Sequence, residues 1–270
     1  MYKSLIALTI AALLAGCATS PTGRKQLMLI SPESAIVESK AAYLSTVGEL
    51  DKQNKLVDDP RMADRVATIT GRLITEAIAM YPNSADWEWS VAIIDDPETV
   101  NAWCMAGGRM AVYTGLFEKL KLTDDEFAQI MGHEISHALA NHTAERMSRA
   151  MATSLGVLAV GVASDRPAAT MAGAAVAAKL ALELPNSRTA ESEADRIGIE
   201  LATRAGYDPD AAVSLWDKMG KQSNGAPPEF LSTHPAPGNR GAALAALTPE
   251  MRRLNPNGKL AAVHPVEIVR

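Results

Sequence analysis

Disulfides have almost nothing to work with in this chain. Its 270 residues contain two cysteines, Cys17 and Cys104, which excludes a disulfide-stapled scaffold. Positive charge is neither abundant nor clustered. With 26 Lys and Arg interspersed among 31 Asp and Glu, the formal charge is -5, and no basic stripe supports a nucleic-acid partner. No uninterrupted apolar run reaches the roughly 18 to 20 residues needed to cross a bilayer, and no internal repeat stands out. Histidine is scarce, at five. What is plentiful is apolar side chain, 47% of the total, enough to bury a substantial core in one large domain or a domain with a small satellite.

The opening "MYKSLIALTIAALLAG" carries one Lys before an apolar stretch, the pattern of a secretory signal peptide over residues 1–16. Next, Leu14-Ala15-Gly16-Cys17 resembles the lipobox of bacterial lipoproteins, which implies that Cys17 becomes the acylated N-terminus. Ala18, where an Asp would signal retention, implies the outer membrane, with the domain held on its periplasmic face through the Cys17 lipid. Residues 17–30, including the small and polar "ATSPTGR", are expected to act as a tether. Cys104 then has no partner and is expected to be a buried structural thiol.

Helix starts appear at Ser31-Pro32 and Asp59-Pro60, each with Pro at the first helical position, predicting helices over 31–50 and 59–80. "WEWSVAIID", residues 87–95, is rich in aromatic and β-branched types and reads as a strand. "NAWCMA" and "RMAVYTG", joined by Gly107-Gly108, read as a hairpin, so a small antiparallel sheet is expected before the next helix. That helix opens at Thr123 with acids in its first turn and is expected to run to about residue 149. Residues 150–182 are Ala- and Gly-rich and are expected to be buried or membrane-apposed helices, too short to span. Helices over 188–204, 208–219 and 238–247 and an irregular tail, 251–270, complete the reading. The fold class is α+β, a mainly helical domain over 31–250 with a small antiparallel sheet.

On the helix beginning at Thr123 lies "HEISH". Residues four apart are separated by about 40° around a helix axis, so His133 and His137 share one face and can grip one cation. Zn²⁺ takes imidazole nitrogen, and a catalytic site keeps three protein ligands beside an exchangeable water. Glu134 is placed to act as general base. A shuffled chain of this composition would show the pattern roughly 0.6% of the time, which makes chance a weak explanation.

A third ligand must come from elsewhere. His142 does not fit the pattern in which a third histidine follows the second by six positions after a helix-breaking Gly; here the offset is five and Ala140 stands between. On an unbroken helix it should point away from the metal, toward the surface or behind the ligands. In "TAESEADR", Glu191 and Asp195 are again four apart, offering a ligating carboxylate and, one turn on, an acceptor for the free N–H of a ligand histidine. Glu193 falls on another face of that helix.

HEISH on a helix, then "SRTAESEADR", then "STHPAPGNR", in this order, resemble the HtpX/CAAX-prenyl-endopeptidase family of zinc metallopeptidases. The "PTGRKQLMLIS" opening resembles its periplasmic lipoprotein branch. The resemblance implies a zincin-type endopeptidase with one Zn²⁺ per chain, held by His133, His137 and Glu191, with Glu134 as catalytic base and Asp195 behind a ligand. It implies that His234 sits over the metal as a fourth ligand or as a donor to the oxyanion, and that Arg240 orients that loop or an acidic neighbour. It also implies that a polypeptide substrate adds as a strand beside the metal, for which Asn101 and Ala102 are the candidates. Unfolded or misassembled envelope proteins are the implied substrates and outer-membrane assembly machinery a possible partner. The alternative is a restrained, chaperone-like metal-binding factor. The chain ends about thirty residues after Arg240, so the resemblance implies the short form without a repeat domain.

Overall fold

The structure, a computed structural model, describes residues 17–164, 167–179, 184–222, 229–234 and 239–270; the expected signal peptide, 1–16, lies outside them. Strands β1 (Cys17–Thr19) and β2 (Lys25–Leu27) form an antiparallel ribbon. Helices α1 (Pro32–Lys52) and α2 (Pro60–Met80) follow, both close to their predicted bounds. Their starts are set as the sequence indicated: Ser31 Oγ accepts from Ser34 N and Asp59 Oδ1 from Arg61 N, each with Pro in the first turn.

Strands β3 (Ser90–Ile94), β4 (Ala102–Met105) and β5 (Arg109–Tyr113) come next. After the short α3 (Thr114–Leu120) comes α4 (Asp124–Leu139), which carries HEISH. Its N-terminus is a full capping box: Glu126 N donates to Thr123 Oγ1 at 3.2 Å and Thr123 N to Glu126 Oε2 at 2.9 Å. The chain continues through α5 (His142–Val162), α6 (Pro167–Ala178), α7 (Leu184–Arg204), α8 (Ala211–Lys221), α9 (Glu229–Thr233) and α10 (Arg240–Met251) to β6 (Glu267–Val269).

The fold is α+β and mainly helical, as expected, but its main sheet is mixed rather than purely antiparallel. Strand order is β4-β5-β3-β6, with β4 antiparallel to β5 and β3 parallel to both β5 and β6. Gly107 and Gly108, at φ +86° and +82°, make the β4–β5 hairpin turn. The expected irregular tail is thus corrected at its end: β6 pairs with β3 from Ser90↔Glu267 to Ala92↔Val269. The backbone groups of β3, a strand buried at every position, need partners on both sides, and "EIV" supplies them.

The core lies between this sheet and the helices. Val66, Ile69, Leu73 and Ile74 of α2 and Phe127, Ile130 and Met131 of α4 pack with Val91, Ile93, Met110 and Val112 of the sheet. Helices α4 and α7 cross where Gly132 faces Gly198, so closely that a Cβ built on Gly132 would sit 2.8 Å from the Gly198 carbonyl oxygen.

Three further expectations are corrected. The motif helix does not run to 149: Ala140 caps α4, Asn141 takes the left-handed conformation at φ +56°, which Asn tolerates, and His142 begins α5 on a new axis. Residues 17–27 are not a bare tether, because the β1–β2 ribbon is docked by side chains onto α5 and α7. Of the two alternatives for residues 150–182, the buried one is corrected: residues 150–162 and α6 are mostly exposed, with Leu155, Leu158, Val162 and Val176 facing outward, while 165–166 and 180–183 lie outside the described residues; no helix among the described residues is long and apolar enough to cross a membrane.

Candidate active site

The glycine crossing of α4 over α7 is what brings the two sequence motifs together. His133 and His137 project from one face of α4 with their Nε2 atoms 3.1 Å apart. Glu191, on α7, lies between them, its Oε2 3.3 Å from His133 Nε2 and its Oε1 3.5 Å from His137 Nε2. His234, immediately after α9, brings Nδ1 to 3.2 Å from Glu191. Phe230 anchors α9: its N–H donates to Val100 O at 3.1 Å, and its ring lies 4.6 Å from that of His234. Donor atoms of His133, His137, Glu191 and His234 all fall within 4.8 Å of one another, three imidazoles and one carboxylate, a set whose chemistry suits zinc.

Electrostatics point the same way. Burial and Arg240 push the His133 imidazole down, but hydrogen bonds with Asp195 and Glu191 outweigh them and raise it to about 9. Burial, with His133 beside it, pushes His137 well below the ordinary histidine value. Burial acts to raise the Glu191 carboxyl, yet hydrogen bonds from His133 and His234 hold it well below the usual carboxylate range. The neutral His137 imidazole and the charged Glu191 carboxylate are in the protonation states in which each can ligate a cation.

Glu134 is 2% exposed, and burial raises its pKa against the opposing charges of His234 and His133. Its Oε1 has no hydrogen-bond partner; the nearest basic atom is His234 Nε2, at 3.4 Å. A buried carboxylate oxygen left unpaired beside a donor cluster is an acceptor held ready for a proton. Asp195 lies one turn after Glu191, with Oδ1 3.0 Å from His133 Nδ1. Arg240 holds that carboxylate through Nη2, while its guanidinium stacks 3.9 Å over the Trp216 ring of α8. The structure thus brings together residues of three separate motifs: His133, Glu134 and His137, then Glu191 and Asp195, then His234 and Arg240.

A cleft of about 820 Å³ opens onto the cluster, walled on one side by β4 and on the other by α5. Tyr113 N donates to Asn101 O, so by the alternation of an antiparallel ladder the backbone groups of Ala102 and Cys104 point away from β5 toward open space. Asn101 Oδ1 accepts from Ala102 N at 2.9 Å, while its Nδ2 donates to Glu229 on α9. Of the two expected edge residues, Asn101 therefore covers an edge donor, whereas the carbonyl of the buried Ala102 meets no donor among the described residues and Cys104 lies next along the strand. Cys104 is buried, and burial raises its thiol pKa well above the ordinary value. Cys17 opens β1, opposite Leu27.

A second buried group stands behind His137, and it begins with His142, which takes the place behind the ligands rather than the surface one. His142, set by the Asn141 break, turns back to place Nδ1 2.8 Å from His137 Nδ1. Its Nε2 lies 3.1 Å from Glu193 Oε2. Arg24 of the ribbon donates through Nε to that same oxygen at 2.9 Å and through both Nη atoms to Glu145 at 2.7 and 2.6 Å. Glu193 does lie off the cluster-facing side of α7, as its position implied, but it is only 5% exposed. The one signal available was Asn141, a residue type that often ends helices in the left-handed conformation.

The sequence model of peptidase family M48 matches residues 60–248. The bovine protein named "Metalloendopeptidase OMA1, mitochondrial" is 31% identical over 245 residues, covering 86% of this chain and 46% of that protein. The "Mitochondrial metalloendopeptidase OMA1" of Arabidopsis thaliana is 40% identical over 159 residues, 58% of this chain and 31% of that one. The "Beta-barrel assembly-enhancing protease" of Escherichia coli is 28% identical over 215 residues, 76% and 43% respectively. The chain thus spans less than half the length of these relatives.

Proposed function

This chain belongs to peptidase family M48, a family of zinc metallopeptidases, and from that premise we propose that it is a zinc-dependent endopeptidase acting on unfolded or misassembled envelope proteins. The observation that carries the reading is the meeting of His133, His137 and Glu191, drawn from two helices, beside the unpaired Oε1 of Glu134.

In this reading His133, His137 and Glu191 hold the ion. Zinc, when bound, supplies a Lewis acid that polarises a carbonyl and makes water acidic near neutral pH. Glu134 takes a proton from the attacking water and delivers it to the leaving amine, which its buried, unpaired oxygen suits. Asp195 holds His133 in the tautomer that leaves Nε2 free, and Arg240, stacked on Trp216, fixes Asp195. The carbonyl of Ala102 and the backbone of Cys104 bind an extended polypeptide through main-chain hydrogen bonds, which favours extended conformation over any particular sequence. Broad selection of unfolded chains is supported on that ground. An outer-membrane location on the periplasmic face, with anchoring through lipidated Cys17, is supported by the N-terminal sequence pattern. A link to outer-membrane assembly is supported by similarity to proteins named for enhancing β-barrel assembly.

Hydrolysis of an unfolded test protein such as casein should stop on chelation and return with zinc. Glu134→Gln should keep its metal and lose turnover by about 10²-fold or more. Turnover that survives either treatment defeats the reading.

One observation favours a second state of the same site: His234 Nδ1 lies among the ligand atoms, 3.3 Å from His133 Nε2, as a fourth ligand would. A chain held there is catalytically restrained and could act as a chaperone-like binder. His234→Ala separates the roles, because faster hydrolysis means that His234 restrains the site and slower hydrolysis means that it donates to the oxyanion.

A further inference from the structure

The two histidines of α4 are backed by supports of one design. His133 Nδ1 meets the carboxylate of Asp195, and an arginine, Arg240, grips that carboxylate. His137 reaches its carboxylate through a second imidazole: His137 Nδ1, His142 Nδ1 at 2.8 Å, His142 Nε2, then Glu193 Oε2 at 3.1 Å, gripped by Arg24. His142 and Glu193 are 7% and 5% exposed, so water does not substitute for either partner.

Only one arrangement of protons along this line leaves His137 Nε2 bare and directed at Glu191. His137 must carry its proton on Nδ1 and donate to His142 Nδ1, which must therefore be bare. His142 must then carry its proton on Nε2 and donate to Glu193, which accepts as a carboxylate. Remove the carboxylate and the opposite arrangement becomes available, with the His137 proton on Nε2, where it excludes a metal. Arg24 is charged at all pH values of interest and spans Glu193 on α7 and Glu145 on α5 with its planar fork. Thr22 Oγ1 donates to the other Glu193 oxygen at 2.6 Å. Gln26 Nε2 donates to Ala140 O, the carbonyl at the end of α4, and to Glu145.

We propose that Arg24 is a positioning residue for the zinc site, acting through Glu193 and His142 to fix the tautomer and orientation of His137, so that the β1–β2 ribbon is part of metal-site assembly. The inference rests on the zinc reading above.

The test is equilibrium zinc affinity of the full chain, measured by competition with a chromogenic chelator, alongside the melting temperature of the metal-free protein. Arg24→Ala, Glu193→Gln and His142→Ala should each weaken zinc binding by ~10–100-fold, the range for partners that orient a ligand. The double variant Arg24→Ala/His142→Ala should bind no more weakly than His142→Ala alone, since residues in one line of action are not additive. Glu126→Gln, which lowers stability at a distance from this line, should leave zinc affinity at the wild-type value. If Arg24→Ala does not fold, Glu193→Gln, which preserves shape, carries the same expectation. Variants that melt earlier yet bind zinc like the wild type overturn the proposal, as do strictly additive losses. A wild-type chain that binds no zinc overturns the zinc reading with it, whereas tight binding by both wild type and variants sinks this inference alone.

Discussion

Replacing Gly198 with alanine places a methyl group where α4 and α7 touch backbone to backbone. The added Cβ would lie 2.8 Å from His133 N, 2.9 Å from His133 Cα and 3.0 Å from Gly132 C. All three are main-chain atoms, so no side chain can swing aside. Carbon contacts are comfortable at about 3.5 Å and beyond, which requires the helices to part by roughly 0.6 Å. Overpacking of this kind costs about 1–3 kcal/mol. Alanine recovers about 1 kcal/mol over glycine as a helix former, so a net loss of about 1 kcal/mol should remain. In a domain of this size that lowers the melting temperature by only about 2–4 °C. The effect on the site should be larger, because Glu191 and His133 sit on opposite helices and a functional constellation tolerates about 0.5 Å of misplacement. Zinc affinity and kcat/KM should fall by about 10–100-fold while the fold persists. Gly156→Ala is the control: nothing lies within 4 Å of its Cβ, so it should stabilise α5 by up to about 1 kcal/mol without touching the metal. A Gly198→Ala protein with wild-type zinc affinity and kcat/KM would refute the idea that close helix contact sets the site.

Burial pushes the Glu126 carboxyl up, but Lys218, Thr123 and Ser214 together hold it below the ordinary carboxylate value. A depressed folded-state pKa means that its stabilisation is complete above the ordinary value and is lost as pH falls through the folded one. Glu126→Gln should therefore cost about 1 kcal/mol at neutral pH and flatten the acid limb of stability, read from urea midpoints across pH; an unchanged acid limb removes Glu126 from that role. Free zinc at ~1,000 times its dissociation constant should stabilise the native chain by about 4 kcal/mol, and calorimetry with and without chelator would show identical melts if the cluster does not bind. Cys104, buried and with its thiol pKa raised, should resist alkylation until the protein unfolds, as mass spectrometry can follow; rapid labelling of native protein would contradict its burial.

The parts of this site legible in the sequence are those written in helical spacing. His133 and His137, or Glu191 and Asp195, need only a regular helix to share a face, and the caps at Ser31, Asp59 and Thr123 declared where helices begin. What remained hidden depends on residues distant along the chain. Arg24 and Glu193 are 169 positions apart, and no local pattern marks an arginine in a polar ribbon as the partner of a buried acid. For His142 the sequence left two places open, the surface or behind the ligands, and the left-handed Asn141 decides for the second by laying it against His137. The pairing of β6 was hidden for the same reason as Arg24, because three residues of "EIV" specify a strand only when β3 is there to receive them. The Gly132–Gly198 crossing likewise shows only once two helices are docked.

β6 lies along the far side of β3 and is itself an edge of the sheet, only three residues long, so an incoming extended segment finds a short border there. Among the described strands the other border is β4, which is longer and forms a wall of the cleft. A polypeptide that joined the sheet along β4 would lie at the cleft that Glu134 lines. The shortness of β6 discourages copies of the chain from zipping together along that border.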